Sequence, residues 1–559
     1  MSSDKLVFDM AMAGDAAPSV FVKKDYFKVS DDQNGIYTGN QSVIQTSATA
    51  NSGRYMDFKN SYITIPLVLS LTADGVGTAF TPATDNNNFA LGLKNWFGSV
   101  IHSCQVDYNN TTAQQLTSFQ SMFNAFKLHT TLSLDDVATQ GSSIGYAKDS
   151  SQSWGRTAAT GLCNNRNILL ASATAGNNMA TGNVGFYERQ KAIAFDPTQL
   201  TDTDGADGLA YSTLCSATNA QNLYRSHVYS KVDGAVAVVG SLQIAVMANV
   251  MTKHISDFLG KLPLCKGSFV KITMNLNQPS STLVSDGAKF TSETTNSPLG
   301  GLNPLLVAGV TDGLGAVLGA DTYIASLGVG RNAPTSAAHP AGSVVAAPLA
   351  TSIEMSIPAY EMSPIFEAAY LAKSVVRFSY EDIYNYNIIN RAGGSRITEL
   401  LSNGISNQSR LVIVPFLNAN SNGTSAVSPF QSCLTTDGST TSPIALNNFN
   451  VQLSGQNVLM QNSDYTYQAF LEQLKGTGAV NGGFVDGITS GLISQTDFEN
   501  NYAYMVVDTS RMPDVEKSVA KSVQIMANIQ TPTGVNVDLY CFIARNVSFA
   551  IDLLTGSRV

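Results

Sequence analysis

Charge is scarce in this chain. Only 13% of its 559 residues are Asp, Glu, Lys or Arg, about half the share found in an ordinary soluble protein. Acidic residues outnumber basic ones by 41 to 32, which gives a formal net charge of −9, and no dense cluster of lysine or arginine is present. Because nucleic acid is held mainly through basic surfaces, this composition predicts a protein that does not bind nucleic acid tightly.

Cysteine and histidine are too few and too dispersed to predict a metal site or a catalytic centre. The six cysteines form no Cys-x-x-Cys pair, so we interpret them as buried thiols of a protein made in a reducing compartment. The five histidines lack the spacing of a zinc site. We therefore predict no enzyme, no cofactor and no catalytic, cofactor-binding or metal-ligating residue. The residues concerned are Cys104, Cys163, Cys215, Cys265, Cys433, Cys541, His102, His129, His227, His254 and His339.

Three segments have a partial likeness to functional loops. Gly313–Gly319 resembles a dinucleotide-binding loop, but its glycine spacing is wrong and no strand–helix alternation surrounds it. Gly476–Gly491 lacks the Gly-Lys-Ser/Thr ending of a phosphate-binding loop. In Asp508–Arg511, a turn held by the two charged residues is a simpler interpretation than a reactive serine or an ion site. We interpret all three as linkers, surface loops or turns.

Long hydrophobic runs are absent. Leu6–Ala13 is broken by Asp9 and no basic run precedes it, so it does not predict a signal peptide. The longest apolar stretch, Ala235–Met251, contains three polar residues and is too short to span a membrane. The sequence thus predicts a protein made inside a cell without a signal peptide and without a transmembrane segment.

What the chain does have is a 44% hydrophobic content, enough for packed interiors, and a strand–helix unit that occurs twice. In the first unit, apolar residues from Val100 to Tyr108 alternate with polar ones, which predicts a strand with one buried face. After the turn Asn109-Asn110, the Thr112–Gln115 segment has the form of a helix capping box. A helical stripe follows at Leu116, Phe119, Phe123 and Phe126.

The second unit lies near the other end of the chain. Phe449, Val451 and Leu453 alternate with polar residues and are followed by a turn at Gly455. A second helical stripe then ends at Gly476; it consists of Tyr467, Phe470, Leu471 and Leu474. We therefore interpret the chain as two similar halves in tandem.

Other pairs of segments support two halves. Ile63–Leu69 resembles Leu411–Leu417, and Ser241–Ile244 resembles Ser522–Ile525. Strand-rich halves with one helix and long loops each predict tandem antiparallel sandwiches, and jelly rolls tolerate such loops. The predicted division is an N-terminal arm (1–18), a first jelly roll (19–278) with a long outward loop at about 128–234, a connector rich in Gly, Ala, Ser and Thr (279–350), and a second jelly roll (351–559).

The order of these segments resembles a known family. Gln105–Phe119, Ile255–Gly267 and Val507–Arg511, together with the two strand–helix units, are similar to the double jelly-roll major capsid proteins of polinton-like viruses and virophages. The similarity spans most of the chain apart from about 128–234 and 278–350. None of these motifs is a catalytic fingerprint, so the resemblance depends on their order.

The resemblance implies an all-β double jelly roll: two tandem antiparallel eight-stranded β-sandwiches, each with a short helix and long loops. It also implies a homotrimer that acts as a pseudo-hexameric capsomer in the icosahedral shell of a double-stranded DNA virus. The implied partners are neighbouring capsomers, penton proteins and minor capsid proteins, and the implied location is the virion.

Three alternatives remain open from the sequence. A secreted or surface β-sandwich that binds carbohydrate would usually carry a signal peptide or paired cysteines. A minor capsid or penton protein needs only one jelly roll, whereas the strand–helix unit occurs twice. A β-sandwich hydrolase would place a close acidic pair in one cleft.

Overall fold

The computed structural model describes residues 19–37, 39–73, 89–148, 227–231, 241–285, 290–297, 299, 303–309, 322–330, 352–418, 444–476, 490–500, 502–510, 518–531 and 534–559. The predicted arm at 1–18 lies outside them, as does Gly313–Gly319. No helix in this part of the chain is long and apolar enough to cross a membrane.

Strands dominate the first two thirds of the chain. They are β1 (Phe21–Ser30), β2 (Gln41–Gln45), β3 (Tyr55–Met56), β4 (Tyr62–Ala73), β5 (Phe89–Leu93), β6 (Ile101–Tyr108), β7 (Thr111–Gln114), β8 (His227–Lys231), β9 (Ser241–Met251), β10 (Val270–Leu276), β11 (Ser280–Ser285), β12 (Phe290–Asn296), β13 (Leu305–Gly309), β14 (Thr322–Val329) and β15 (Glu354–Met362). The helices are α1 (Ser47–Ala50), α2 (Gln120–Thr131), α3 (Leu134–Ile144), α4 (Thr252–Ile255) and α5 (Asp257–Lys261), with a 3-10 turn at Phe97–Val100.

The last third repeats the pattern with fewer elements. It contains α6 (Pro364–Leu371), β16 (Val375–Arg391), β17 (Arg396–Ile405), β18 (Gln408–Leu417), β19 (Leu446–Leu453), β20 (Gln456–Asn457), α7 (Tyr467–Gly476), α8 (Gln495–Asn500), β21 (Met505–Asp508), β22 (Lys521–Ile529) and β23 (Val537–Asp552).

Each half forms a sandwich of two sheets. In the first half, β1, β15, β4 and β9 lie side by side in the larger sheet, and the facing sheet has the order β2-β10-β6-β7. In the second half the orders are β16-β23-β18-β21 and β17-β22-β19-β20. Two hydrophobic cores lie mainly between the sheets of the two halves, and each contains some residues from the other half. Strand for strand, the second sandwich therefore repeats the connectivity of the first.

Alternation of side chains explains why the matching strands fold alike. In β10 every second side chain, from Val270 to Leu276, is buried, while the intervening polar ones are half-buried. Its counterpart β22 shows the same pattern from Val523 to Ile529. A period of two puts one face of a strand into the sandwich and leaves the other toward solvent.

This connectivity corrects one predicted parallel. Ser241–Ile244 belongs to β9, which pairs with β4. Ser522–Ile525 belongs to β22, which pairs with β17 and β19 in the other sheet. The counterpart of β22 is β10, so the short shared pattern Ser-x-Gln-Ile was misleading.

The predicted connector at 279–350 is wrong in the part that the structure describes. β11 pairs with β12 and β14, and β14 pairs with β4, so these strands widen the larger sheet of the first sandwich. β15 pairs with β1 and β4, and it occupies the place that β23 has in the second sandwich. The first sandwich thus extends to Met362. Strands rich in Ser, Thr and Gly gave too little hydrophobic alternation to be recognised.

The predicted capping box at Thr112–Gln115 is also wrong. Asn109 and Asn110 adopt φ values of 46° and 62°, the left-handed pair that closes a tight hairpin. Thr111–Gln114 therefore pairs back on β6 as β7, and the helix begins only at Gln120. In the second unit the strand, the turn at Gly455 and the helix Tyr467–Gly476 lie where they were predicted.

The loop predicted at about 128–234 begins later than expected. Residues up to Thr131 complete α2, and Leu128, His129 and Thr130 are buried. α3 follows, begun by a capping box between Ser133 and Asp136. Residues 149–226 and 232–240 lie outside the described part of the chain, so the outward direction of this loop stays a prediction.

Candidate functional site

The part of the chain that the structure describes holds no candidate metal centre. There, no three His, Cys, Asp or Glu side chains come close enough to hold a metal ion. Cys104, Cys265 and Cys541 are free and buried, and burial raises the pKa of Cys104 to about 12. Such thiols are protonated and unreactive at neutral pH.

Three of the five histidines belong to the packed interior. Burial lowers the pKa of His102 to about 4. Burial, together with the charges of Lys253 and Lys127, lowers the pKa of His254 to about 3. His129 lies at the centre of an aromatic group with Tyr146 and Tyr502. His339 and the side chain of His227 lie outside the description.

Asp508 binds Ser510 at the start of the predicted turn. Its Oδ1 accepts hydrogen bonds from the backbone N–H of Ser510 at 2.9 Å and from the Ser510 hydroxyl at 2.6 Å. Arg511, the other end of the predicted turn, lies outside the described residues.

The junction between the two sandwiches is the most elaborate polar and aromatic site in the structure. Helix α2 leaves the first sandwich and places Met122, Phe123 and Phe126 in the hydrophobic core of the second. The ring of Phe123 lies 5.8 Å from that of Phe542, and the ring of Phe126 lies 5.1 Å from that of Tyr504. The second core is therefore incomplete without a helix from the first half.

The end of α2 is also held by the second sandwich. The backbone N–H of Leu492 donates to the carbonyl of His129 at 2.8 Å, which satisfies one of the carbonyls left free at a helix C-terminus. Lys148 follows shortly after α3; its ammonium group donates to Leu492 O at 2.7 Å and contacts Asp497 at 2.5 Å.

Hydrogen bonds cross the junction beside the start of β16. The Tyr380 hydroxyl donates to the carbonyl of Ala113 at 2.5 Å. The Thr117 hydroxyl donates to the carbonyl of Ile383 at 2.6 Å. Buried hydrogen bonds of this kind fix the position of one sandwich against the other, because a shift of either sandwich would leave the donors unpaired.

Asp257 is the charged centre of this junction. Its carboxylate accepts from the backbone N–H of Glu381 at 2.8 Å and pairs with Lys127 at 3.2 Å and Lys261 at 2.8 Å. Burial raises the pKa of this carboxyl, but the two lysines and the backbone hydrogen bond outweigh it and lower the pKa to about 2. The group is therefore ionised at neutral pH and connects first-half residues to β16.

The C-terminal turn makes the last connection. After β23, the carbonyl of Gly556 accepts from the Tyr108 hydroxyl at 2.6 Å and from Asn109 Nδ2 at 2.7 Å. The backbone N–H of Lys266 donates to the carbonyl of Leu553 at 2.9 Å. The final residues of the chain thus close on β6 and the segment before β10. We call Leu553–Gly556 the C-terminal latch.

An aromatic cluster fills the space between these bonds. Phe258 lies 5.8 Å from Phe378, 5.1 Å from Tyr380 and 5.2 Å from Phe549. Tyr108 joins the same group, 5.8 Å from Phe549. Buried aromatic contacts and ionic bonds together join the two sandwiches.

Sequence reasoning found part of this site. The sequence shows Phe119, Phe123 and Phe126 as one apolar stripe, but nothing in it indicates that the core they enter belongs to the other half. Asp257, Glu381 and Gly556 were missed, because their roles depend on residues more than a hundred positions away in the chain.

Comparison with known proteins adds similarity of fold. No protein-family profile matches the chain, and no curated protein matches its sequence. A chain of the Sputnik virophage, determined by cryo-electron microscopy, is similar with a TM-score of 0.52 at 12% identity, covering 97% of this chain and 89% of that chain. The mavirus major capsid protein gives a TM-score of 0.49 at 10% identity, covering 98% and 92%. A chain of the PBCV-1 virus capsid gives 0.38 at 9%, covering 98% and 99%.

The similarity to the Sputnik virophage chain covers 97% of this chain and therefore includes both sandwiches. Within this chain, the strand order of the first sandwich repeats in the second. In the second sandwich the eight predicted strands are present as two four-stranded sheets. The predicted fold is confirmed: the chain is an all-β double jelly roll.

Proposed function

We propose that this chain is a major capsid protein, which trimerises into pseudo-hexameric capsomers and builds the icosahedral shell of a double-stranded DNA virus. The observation that carries the proposal is the double jelly roll itself, shared over 97% of the chain with a chain of the Sputnik virophage.

The geometry supports this function physically. Two sandwiches with the same strand order but different size give each chain two similar, unequal lobes. Three such chains under closed threefold symmetry present six lobes, which lets a trimer fill a position with six neighbours. The junction around Asp257 and α2 keeps the two lobes at a fixed angle, as a tiling unit requires.

Composition is compatible with extensive contact between copies. Obligate interfaces bury on the order of 2,000 to 5,000 Å² and are depleted in charge. Because only 13% of its residues are charged, burying the sides of the chain against other copies desolvates few charges. The proposed partners are two further copies, neighbouring capsomers, and penton and minor capsid proteins, and the proposed location is the virion. The net charge of −9 fits a shell that encloses its genome without gripping it.

Light scattering coupled to size-exclusion chromatography tests the proposal directly. We expect the purified protein to elute as a species of three chains, each of 59.2 kDa, and negative-stain images to show hexagonal particles or shells. A stable monomer at all concentrations, with featureless round particles, would refute the trimer and with it the shell.

A further inference from the structure

Helix α6, which connects the two sandwiches, has an unusual surface. Its sequence is Pro-Ile-Phe-Glu-Ala-Ala-Tyr-Leu, yet none of its eight residues is buried, and Ile365 is 79% exposed. An apolar helix normally buries its hydrophobic side against another element. The outer side of α6 therefore lacks a cover in the part of the chain that the structure describes.

The inner side of α6 is fixed to the first sandwich by polar groups. Glu367 pairs with Lys266 at 2.5 Å and accepts from the Tyr55 hydroxyl at 3.0 Å. One turn later, the Tyr370 hydroxyl donates to the carbonyl of Leu264 at 2.8 Å. Tyr370 and Leu371 also pack against the first hydrophobic core, so the helix is held in one orientation with Ile365, Ala368 and Ala369 exposed.

The start of β1 extends this apolar surface. The backbone N–H of Ser363, the residue before α6, donates to the carbonyl of Val20 at 2.9 Å. Val20 and Val22 are 42% and 67% exposed. We call the resulting surface the α6 patch; its exposed members are Val20, Val22, Ile365, Ala368 and Ala369. It carries no charge of its own, but the exposed Lys23 and Lys24 border it.

We propose that residues 1–18 of the same chain bind the α6 patch. This segment leads through Ser19 into Val20, a member of the patch. Six of the seven residues in Leu6–Met12 are apolar, with Asp9 between them, so the segment can cover an apolar surface. Its acidic residues complement the three lysines of β1; they are Asp4, Asp9 and Asp15.

The length of residues 1–18 and their effective concentration both favour binding of the patch by this segment over binding by another molecule. Eighteen residues span up to about 60 Å when extended, whereas the eight-residue helix is only about 12 Å long. A tethered segment also experiences an effective concentration in the millimolar range. The inference goes beyond the proposed function, because it holds whether or not the protein builds shells.

Hydrogen–deuterium exchange followed by mass spectrometry tests the proposal on the full-length protein. We expect backbone amides in residues 5–13 to exchange at least about tenfold more slowly than in a free peptide of the same sequence. In Ile365→Asp this protection is lost, because a charge is placed in the apolar contact. Met460→Asp is the matched control, since Met460 is 100% exposed in the second sandwich, and protection there stays unchanged.

Three outcomes would overturn the proposal. The first is exchange in the wild type at the rate of the free peptide, and the second is equal protection in Ile365→Asp and the wild type. The third is loss of protection on dilution to a concentration at which light scattering shows single chains, because the patch would then be covered by a second copy. Persistent protection in single chains supports binding within one molecule and is independent of whether trimers form.

Discussion

Substituting Gly556 by alanine tests whether the C-terminal latch holds the two sandwiches together. Gly556 has a φ of +65°, and an added Cβ would lie 2.5 Å from the carbonyl oxygen of Lys266 and 2.9 Å from backbone atoms of Gly267 and Ser268. These obstacles are backbone atoms, so no side-chain rotation can relieve the overlap. The latch must move away from the first sandwich.

The expected cost follows from three contributions. A left-handed backbone costs an L-residue about 1–2 kcal/mol. Displacing the Gly556 carbonyl removes the hydrogen bonds from Tyr108 and Asn109, each worth about 1 kcal/mol. We therefore expect Gly556→Ala to lower the free energy of unfolding by about 3–4 kcal/mol, a sum of these terms.

Gly534→Ala is the matched control, because Gly534 has a φ of +92° and no atom of the described residues lies within 4 Å of the added Cβ. It should cost only the backbone contribution of about 1–2 kcal/mol. Urea unfolding followed by circular dichroism, at one fixed protein concentration, compares the two variants. Equal destabilisation would show that the close approach at Gly556 contributes nothing and would refute the latch.

Two further predictions concern the junction. Phe126→Ala should lower the free energy of unfolding by about 3–5 kcal/mol, because Phe126 is fully buried in the second core. The control Leu116→Ala changes a side chain that is 48% exposed and should cost under about 0.5 kcal/mol. Similar urea midpoints for the two variants would contradict the shared core. Asp257→Asn should remove a pH-dependent contribution of about 2–3 kcal/mol, since the folded pKa of about 2 lies below the unfolded value of about 3.9. That stabilisation is present above about pH 4 and is lost as the pH falls toward 2. The difference in urea midpoint between wild type and variant should therefore become smaller from pH 6 to pH 2.5. A difference that stays constant would contradict the role of Asp257.

Local patterns made much of the fold predictable. A period of two in segments such as Phe449–Leu453 identifies strands whatever surrounds them, and the apolar spacing in Tyr467–Leu474 identifies a helix. The duplication was visible for the same reason, because both sandwiches need the same strand and helix at the same place. Weakly patterned segments failed: strands β11 and β12 are rich in Ser and Thr and have little hydrophobic alternation, although they pair with each other and β11 also pairs with β14.

The sequence by itself determined that this protein is a tandem of two β-sandwiches, because the alternation of apolar and polar residues acts over a few neighbouring residues. Only the tertiary structure decided where the first sandwich ends, since β15 is assigned by its pairing with β1 and β4. It also decided that α2 completes the opposite core and that Gly556 closes on Tyr108. Such contacts join residues that are hundreds of positions apart. The local pattern of side chains does not show which distant segment of the chain each residue will contact.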